Sequence, residues 1–356
     1  MENLFGNRLV SARKMAGMSL QDLSDKMKNV VTKQSLNKYE QGKMKPDSEV
    51  SILLSNVLDV PVDYFYSSPG IEVKLDNISY RKFISKISKN EQIAIEEKAK
   101  ETFERYLELE EVLNFDEKVE YFIYDKLIEN AEDAEDAAKE LRKKWKLGYD
   151  PIPDVIEMLE DKGYKVIEID APDGFDGMKA DINGEKVIVL RKSQSSNEDV
   201  VRKRFTALHE LAHHSLKFSN NLSEKEEENL CHAFASAVLY PEDMARKEMH
   251  KNRFRFYQNE LVFIKERWGI SFSAVFNRAK QLGIISAYVY RQFNIRYRER
   301  KFHLNEPGRF LSREKPVRFE RLIYLGLSKE AISVNDAAFF SGKTVGEFRK
   351  QLQQLV

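Results

Sequence analysis

The sequence has few of the features that would place a protein outside the cell or in a membrane. Among its 356 residues there is a single cysteine, Cys231, so no intrachain disulfide can form. No uninterrupted apolar segment approaches the ~20 residues that span a bilayer, and the N-terminus lacks the apolar core of a signal peptide. We therefore expect a cytoplasmic protein with no membrane partner and with Cys231 in its core.

The formal net charge is zero, because 58 Lys and Arg balance 58 Asp and Glu. This argues against a uniformly basic nucleic-acid protein, but the charge is unevenly distributed. Residues 26–45 hold six Lys against one Glu, whereas residues 91–140 hold eighteen acidic against six basic side chains. These zones predict more than one kind of surface. The length suffices for two or three domains.

The most informative stretch is His209-Glu210-Leu-Ala-His213, an H-E-x-x-H pattern. On a helix, residues four apart lie on nearly the same side, so His209 and His213 can both offer an imidazole to one metal ion, with Glu210 beside it. A helix here also has an apolar stripe at helical spacing, formed by Val201, Phe205, Leu208 and Ala212. The alternative is a pair of surface histidines on an amphipathic helix.

A second helix downstream can supply a third ligand. Ser223 and Glu226 form a capping box that begins this helix, and Pro241 ends it. Glu228 and His232 lie four apart on it. Because a zinc site of two His and one Glu leaves the fourth position for water, Glu228 is the first choice as third ligand. His232 then either orients a ligand or replaces Glu228. The alternative is that the acidic start of the helix is simply solvated.

These two helices resemble a known family. The stretch 209–213 followed by 228–241, Glu-Asn-Leu-Cys-His-Ala-Phe-Ala-Ser-Ala-Val-Leu-Tyr-Pro, is similar to the signature of the ImmA/IrrE family of bacterial and phage metallopeptidases. The chain departs from that signature at His232, where the family usually has Asn or Asp, and at Tyr240, where it often has Met. His232, Tyr240 and Tyr257 are the candidates for stabilising an oxyanion.

The resemblance implies a metal-dependent peptidase. It assigns the metal to His209, His213 and Glu228, and it makes Glu210 the catalytic glutamate that accepts a proton from water. Zinc is the default metal for this ligand set, with manganese and iron as alternatives. What the family further implies is limited cleavage of a repressor protein that controls a mobile element or a stress response.

The sequence pattern of residues 1–66 predicts a different kind of domain, built from five short helices. Lys28-Asn29 suits a tight turn, and Thr32 begins the helix that follows it. Two short helices joined in this way can place the second in a DNA major groove. The segment 32–46, followed by Val-Pro-Val-Asp-Tyr-Phe at 60–65, resembles the XRE family of phage-repressor-like DNA-binding domains.

On that match, the recognition helix carries Thr32, Lys33, Gln34, Ser35, Asn37 and Lys38. Gln34 or Asn37 can pair with adenine. Lys33, Lys38 and Lys43 are better suited to phosphates or guanine. Leu36 and Tyr39 on the same helix have the spacing of core positions. We expect a double-stranded operator with two-fold symmetry, bound by a homodimer. The alternative is a helical interaction domain that no longer binds DNA, because the domain as a whole is barely basic.

The chain between and beyond these motifs predicts a multidomain, mainly α protein. We expect, in order, a helix-turn-helix domain at 1–66, a linker at 67–82, an acidic helical region at 83–147, an H-E-x-x-H peptidase domain at 148–285, and a helical C-terminal region at 286–356. The acidic region carries long charge runs. We expect those charges to lie on solvated faces.

The peptidase domain is predicted to be a zincin-like α+β core with a small antiparallel sheet. A strand is expected at 165–170, and a hairpin joins 177–182 to 186–190 around Asn183-Gly184. In such enzymes an edge strand holds the substrate extended by backbone pairing, and we expect this hairpin to provide that edge.

Two functions follow from these patterns. The first is a DNA-binding regulator fused to a zinc-dependent peptidase that cleaves a repressor. The rival is a non-enzymatic XRE-type repressor or antitoxin, in which the metal-site domain is a sensor or a docking module. The complete H-E-x-x-H pattern favours the enzyme, since a purely structural metal site has no need of Glu210.

Overall fold

The computed structural model describes residues 3–67, 70–80, 87–115, 119–192 and 198–353. The elements are, in order, α1 Leu4–Met15, α2 Leu20–Lys26, α3 Lys33–Glu40, α4 Ser48–Leu58, a 3-10 helix Val62–Tyr66, β1 Leu75–Tyr80, α5 Lys89–Val112, β2 Leu127–Ile128, α6 Ala131–Lys144, α7 Val155–Asp161, β3 Lys165–Ile169, β4 Gly177–Ile182, β5 Glu185–Arg191, α8 Glu198–Ser215, β6 Lys217–Phe218, α9 Glu224–Leu239, α10 Glu242–Met249, α11 Gln258–Trp268, α12 Phe272–Gln281, α13 Ala287–Glu299, α14 Arg318–Ser328, α15 Val334–Ser341 and α16 Val345–Gln353. The prediction of a mainly α, multidomain fold is confirmed. No helix within the described ranges has the length and apolar composition that crossing a bilayer requires.

The N-terminal helices α1 to α4 pack around a core of their own, together with the 3-10 helix. Ser19 and Asp22 form a capping box at the start of α2, and the Thr32 side chain accepts a hydrogen bond from the Ser35 N–H at the start of α3. Between these helices Lys28 and Asn29 both adopt left-handed backbone conformations. The predicted tight turn is therefore confirmed.

The sheet has four strands in the order β1-β4-β5-β3. Strands β1, β4 and β5 run antiparallel, but β3 pairs parallel with β5. The prediction of an antiparallel sheet was thus wrong for one pairing. The reason is topological: after β3 the chain crosses to β4, and β5 then returns between the two strands in the same direction as β3.

Strand β1 lies in the segment that we expected to be a linker. It pairs with β4, so β4 is an inner strand of the described sheet and the edges are β1 and β3. The expectation that the hairpin supplies an open edge was therefore wrong. This segment was predicted to be a linker because it follows Pro69-Gly70, a pair typical of turns and loops. Its partner strand lies about a hundred residues further along the chain, so the pairing leaves no signal in the local sequence.

The two faces of the sheet belong to two cores. Met178, Ala180 and Ile182 of β4 face a core that includes α5, α14 and α15. Ile188 and Leu190 of β5 face the other core, which includes α6, α8, α9 and α12. The second core contains the helices that carry the H-E-x-x-H residues and Glu228, so the sheet forms one wall of the candidate site.

Helix α5 bridges the N-terminal domain and the sheet. On the N-terminal side its acidic residues meet basic residues of α1: Arg8 Nη1 lies 3.0 Å from Glu101 and 3.4 Å from Glu104, and Lys14 Nζ lies 3.1 Å from Glu97. We expected this acidic run to be a solvated face. Part of it instead binds α1, because Arg8 is buried in the interface and needs acidic partners.

Candidate metal centre

Two helices bring the candidate ligands together. Helix α8 presents His209 and His213 on one side, since they are four residues apart. Helix α9 begins at the Ser223/Glu226 capping box, as predicted, and packs along α8. This places Glu228, in the second turn of α9, opposite the two imidazoles.

The ligand atoms form a compact triangle. His209 Nε2 and His213 Nε2 are 3.1 Å apart, and they lie 3.4 and 3.3 Å from the two carboxylate oxygens of Glu228. Ligand atoms bound at about 2.0 Å around a tetrahedral zinc lie about 3.3 Å from one another. The imidazole nitrogens are thus spaced from each other, and each from its nearer carboxylate oxygen, as ligands that share one metal ion, and His/His/Glu is a donor set that zinc accepts.

The electrostatics of the triangle also favour a cation. Burial raises the pKa of Glu228, but the hydrogen-bonded imidazoles of His209 and His213 outweigh it and hold that pKa well below its usual range. Burial lowers the pKa of His213, yet Glu228 and the charge of Glu210 raise it overall. The lowered pKa keeps Glu228 ionised, the form that binds a metal ion, whereas the raised pKa of His213 favours its imidazolium, from which a metal ion would have to displace a proton.

Glu210 and Lys179 complete the wall beside the sheet. Glu210 is fully buried next to the two histidines, on the side of α8 that faces β4. Lys179 of β4 is half-buried and interacts electrostatically with Glu210. Burial lowers the pKa of Lys179, while Asp181 and Glu210 partly counter that effect. Lys179 was not predicted from the sequence as a site residue, although it lies two residues after Gly177 and therefore on the same face of the strand.

Three further groups pack around the ligands. Cys231 Sγ lies 3.7 Å from His213 Nδ1, behind the ligand nitrogen. The His232 ring lies 4.7 Å from the His209 ring, centroid to centroid, and also contacts Phe205. Cys231 is buried as predicted, and burial keeps its pKa raised, so the thiol stays protonated. The rings of His232 and His209 are thus in direct contact.

His214 ties α8 to the sheet. Its Nε2 donates to the Val187 carbonyl at 2.9 Å, and its Nδ1 lies 3.7 Å from Asp181. Burial lowers the pKa of His214 to about 3, so the ring is neutral at physiological pH. This residue was also missed, because a third histidine next to His213 gives no sequence signal that separates it from the ligands.

A cavity of about 790 Å³ opens beside His232. Phe205, Phe302 and Tyr297 line its apolar part, and the buried pair Lys265 and Glu306 lies in its wall. His209, Glu210, His213 and Glu228 are not among its lining residues, so the cavity reaches the candidate site at His232 and not at the candidate ligands.

Neither of the two tyrosines proposed as oxyanion donors has a described contact with a candidate ligand. Tyr240 caps the far end of α9, twelve residues or about 18 Å of helix beyond Glu228. Its hydroxyl donates to Glu248 at 2.9 Å. Tyr257 is 66% exposed at the start of α11. The hydroxyl of Tyr240 is therefore committed to Glu248, and of the three candidates His232 is the one in ring contact with a candidate ligand.

The predicted DNA-contact residues lie on one surface of α3 and the turn after it. Thr32, Lys33, Gln34, Asn37, Lys38 and Lys43 are exposed, and Ser35 is half-buried. Leu36 and Tyr39 are buried in the domain core, as their spacing predicted. Helix α5 contacts α1 and leaves these side chains exposed.

Comparison with known proteins finds a family match for each of the two regions that hold these candidate sites. A helix-turn-helix family model matches residues 9–65, and an IrrE N-terminal-like domain model matches residues 159–280. The SPbeta prophage-derived uncharacterized HTH-type transcriptional regulator YonR of Bacillus subtilis (strain 168) is 36% identical over 75 residues, which cover 21% of this chain and 68% of that protein. The chain belongs to the XRE-type helix-turn-helix regulators and carries an IrrE-like peptidase-family domain. No solved structure gave a significant match.

The two matched segments hold both candidate sites. The helix-turn-helix match contains α3, and the IrrE-like match runs from within α7 into α12 and includes all three candidate ligands. The resemblance to these families is thus confirmed. The ligand and DNA-contact assignments rest on the geometry described above.

Proposed function

We propose that this chain is a DNA-tethered regulator whose IrrE-like domain is a zinc-dependent peptidase making a limited cut in a repressor protein. The observation that carries the proposal is the triangle of His209, His213 and Glu228 with Glu210 buried beside it. The boundaries proposed are 1–66 for the DNA-binding domain and 148–285 for the peptidase. Because its operator would be chromosomal or phage DNA, we place its action in the cytoplasm.

His209, His213 and Glu228 would hold the metal ion, with manganese or iron as alternatives to zinc. When bound, such an ion polarises a peptide carbonyl and lowers the pKa of a water molecule. Glu210 would accept a proton from the attacking water and pass it to the leaving amine. The other side chains hold this geometry: Cys231 backs His213, His232 backs His209, and Lys179 offers a positive charge beside Glu210.

The Glu210→Gln variant tests the enzymatic part. An amide keeps the size of the side chain and leaves the ligands in place, but it cannot accept the proton. We expect normal metal content and a loss of peptidase activity of about 10²-fold or more. The readout is the set of new protein N-termini in cells expressing the full chain, compared between parent and variant, with the exposed Glu224→Gln as control.

If the parent produces no new N-termini that Glu210→Gln lacks, while both regulate a promoter equally, the peptidase proposal fails. The non-enzymatic repressor or antitoxin then becomes the better account. Unfolding on metal removal would point the same way, because it is the behaviour of a structural site.

The DNA-binding part rests on the exposed surface of α3. We propose that a homodimer places Gln34 or Asn37 against bases and Lys33, Lys38 and Lys43 against phosphates of a two-fold symmetric operator. Gln34→Ala should relax base preference, costing about 1 to 3 kcal/mol at the preferred site. Lys43→Ala should instead weaken binding to all sequences and reduce its salt dependence. DNA binding that is absent at low salt would indicate an interaction domain.

A further inference from the structure

Strand β1 occupies the sheet position next to the candidate active site. It runs antiparallel to β4, with Leu75 opposite Ile182 and Ser79 opposite Lys179. An extended peptide that adds to a sheet edge pairs with it through the same backbone groups. A segment of the chain's own therefore fills the place where an added peptide strand would lie.

Strand β4 follows the catalytic side of α8. A side chain at Gly177 would meet Thr206, Lys179 interacts with Glu210, and Asp181 lies 3.7 Å from His214. These three α8 residues are four apart, so β4 tracks one face of the helix past Glu210. Ser79, the register partner of Lys179, is thus the β1 residue that pairs where β4 passes Glu210.

The pairing of β1 with β4 is the irregular one in this sheet. Between Asp76 and Ser79 its register with β4 shifts, and Asn77 adopts a left-handed conformation at φ 51°. The register of β4 with β5 is continuous. A bulge removes ladder hydrogen bonds, so β1 is the strand of this sheet most easily exchanged.

The side chains of β1 indicate which kind of segment can pair with β4 at this place in the sheet. Leu75 and Ile78 pack into the core around α5, and the bulge lets residues an odd number apart share that face. On the other face Asn77 Nδ2 donates to Asp181 at 2.8 Å. The position thus accepts an extended segment with apolar residues towards α5 and small polar residues towards α8.

We propose that the β4 edge is the peptide-binding site of this chain and that β1 is an internal occupant, which an extended substrate segment of this pattern replaces. The proposal rests on the proposed peptidase function and adds its substrate class and its regulation. Backbone pairing with β4 would hold the substrate beside Glu210, and the apolar contacts at the Leu75 and Ile78 positions would select it. While β1 is paired, the site is closed to other strands.

The test measures binding rather than cleavage. The full chain carries Glu210→Gln, so the probe is not hydrolysed. The probe is a fluorescein-labelled peptide with the sequence of residues 73–80, Val-Lys-Leu-Asp-Asn-Ile-Ser-Tyr. In one variant, Ile78→Asp weakens the packing of β1 against the core around α5. In another, Leu75→Cys with Ile182→Cys links β1 to β4 by a disulfide. The buried Cys231 cannot join that bond.

We expect Ile78→Asp to bind the probe at least tenfold more tightly than the parent. The oxidised double-cysteine chain should not bind it, and reductant should restore binding to the parent level. Leu75→Cys alone should be insensitive to oxidant. Hydrogen exchange at β1 amides verifies release or locking, and circular dichroism verifies folding.

Equal binding to the locked and reduced chains overturns the proposal. So does unchanged affinity in Ile78→Asp when its β1 amides exchange freely. Should Ile78→Asp fail to fold, the reversible disulfide still decides. If binding follows the state of β1 but the parent with Glu210 never cuts the probe or any cellular protein, the peptide site stands and the peptidase function fails.

Discussion

The metal centre and the contact between α1 and α5 both bury acidic side chains, but they compensate for that burial differently. At the α1–α5 contact a permanent cation, Arg8, lies against Glu101 and Glu104 and donates to the Ser67 carbonyl at 2.9 Å. At the metal centre Glu228 instead faces two imidazoles, which are cations only when protonated. The first arrangement supplies its own cation. The second depends on protons on the imidazoles or on a cation bound between its members.

The pKa directions express the same difference. Burial raises the pKa of Glu104 to about 7, with the charge of Glu101 adding to the rise and Arg8 and Lys100 opposing it. Glu228 is also buried, but its imidazole partners bring its pKa well below the usual value. An acid that converges with imidazoles is thus kept ionised and ready for a cation, whereas one held in an ion-pair network can retain its proton.

Removing one ligand should have the largest effect. Glu228→Gln keeps the shape of the side chain but removes the charge that offsets a divalent ion. We expect zinc content to fall from about one ion per chain to below about a tenth after dialysis against a weak chelator, and activity to fall with it. Metal analysis by plasma mass spectrometry measures this. The exposed Glu224→Gln on the same helix should retain its metal.

If Glu228→Gln keeps a full complement of zinc, Glu228 is not a ligand. His232→Asn would then be the next variant to analyse. His232 is on α9, as Glu228 is, and its ring contacts the ring of His209. Loss of metal only in His232→Asn would transfer the third position to His232.

Breaking the α1–α5 contact should cost stability and leave metal binding intact. Arg8→Met keeps the apolar stem but removes the cation that contacts Glu101 and leaves the buried Glu104 with Lys100 alone, at 3.8 Å, a loss of about 3 kcal/mol. Lys14→Met is the matched control, because the Lys14–Glu97 pair is more exposed and should cost less than about 1 kcal/mol. Urea unfolding of the N-terminal domain, followed within the full chain, gives both values.

Equal losses from Arg8→Met and Lys14→Met would mean that burial does not distinguish these two ion pairs. A fall in zinc content in Arg8→Met would mean that the α1–α5 contact and the metal centre are coupled through α5, and the comparison between them would no longer be one of independent regions.

Local patterns predicted the parts of the structure that depend on local chemistry. The capping box of Ser223 and Glu226, the turn at Lys28-Asn29 and the buried Leu36 follow from short-range rules, and the structure has all three. The spacing of His209 and His213 also predicted that their imidazoles share one side of a helix. Such features need only a few neighbouring residues to form.

Long-range partners were not predictable in the same way. The pairing of β1 with β4 joins segments a hundred residues apart, and a six-residue strand after Pro69-Gly70 looks like part of a linker. The acidic run of α5 looked solvated because nothing in it identifies Arg8 as a partner. Lys179 could be placed near Glu210 only once the packing of β4 on α8 was known.

The smallest predicted effect is a pH dependence at the α1–α5 contact. The folded-state pKa of Glu104, about 7, lies above its ordinary value of 4.5. Its protonated form is therefore favoured by folding, so its contribution to stability is complete below pH 4.5 and is lost as pH rises through about 7. Glu104→Gln carries a permanently neutral side chain of the same size. It removes this pH dependence while Arg8, Lys100 and Glu101 still face the position.

We expect the urea midpoint of the parent to fall more between pH 5 and pH 7.5 than that of Glu104→Gln, by less than the Arg8→Met effect. Burial also raises the pKa of Glu160 and of Glu314 to about 7, but both are common to the two proteins and cancel in the difference. Glu97→Gln, beside Lys14, is the control. Parallel pH profiles for the parent and Glu104→Gln would contradict this prediction. They would mean that Arg8 keeps Glu104 ionised throughout, as the imidazoles keep Glu228 ionised at the metal centre.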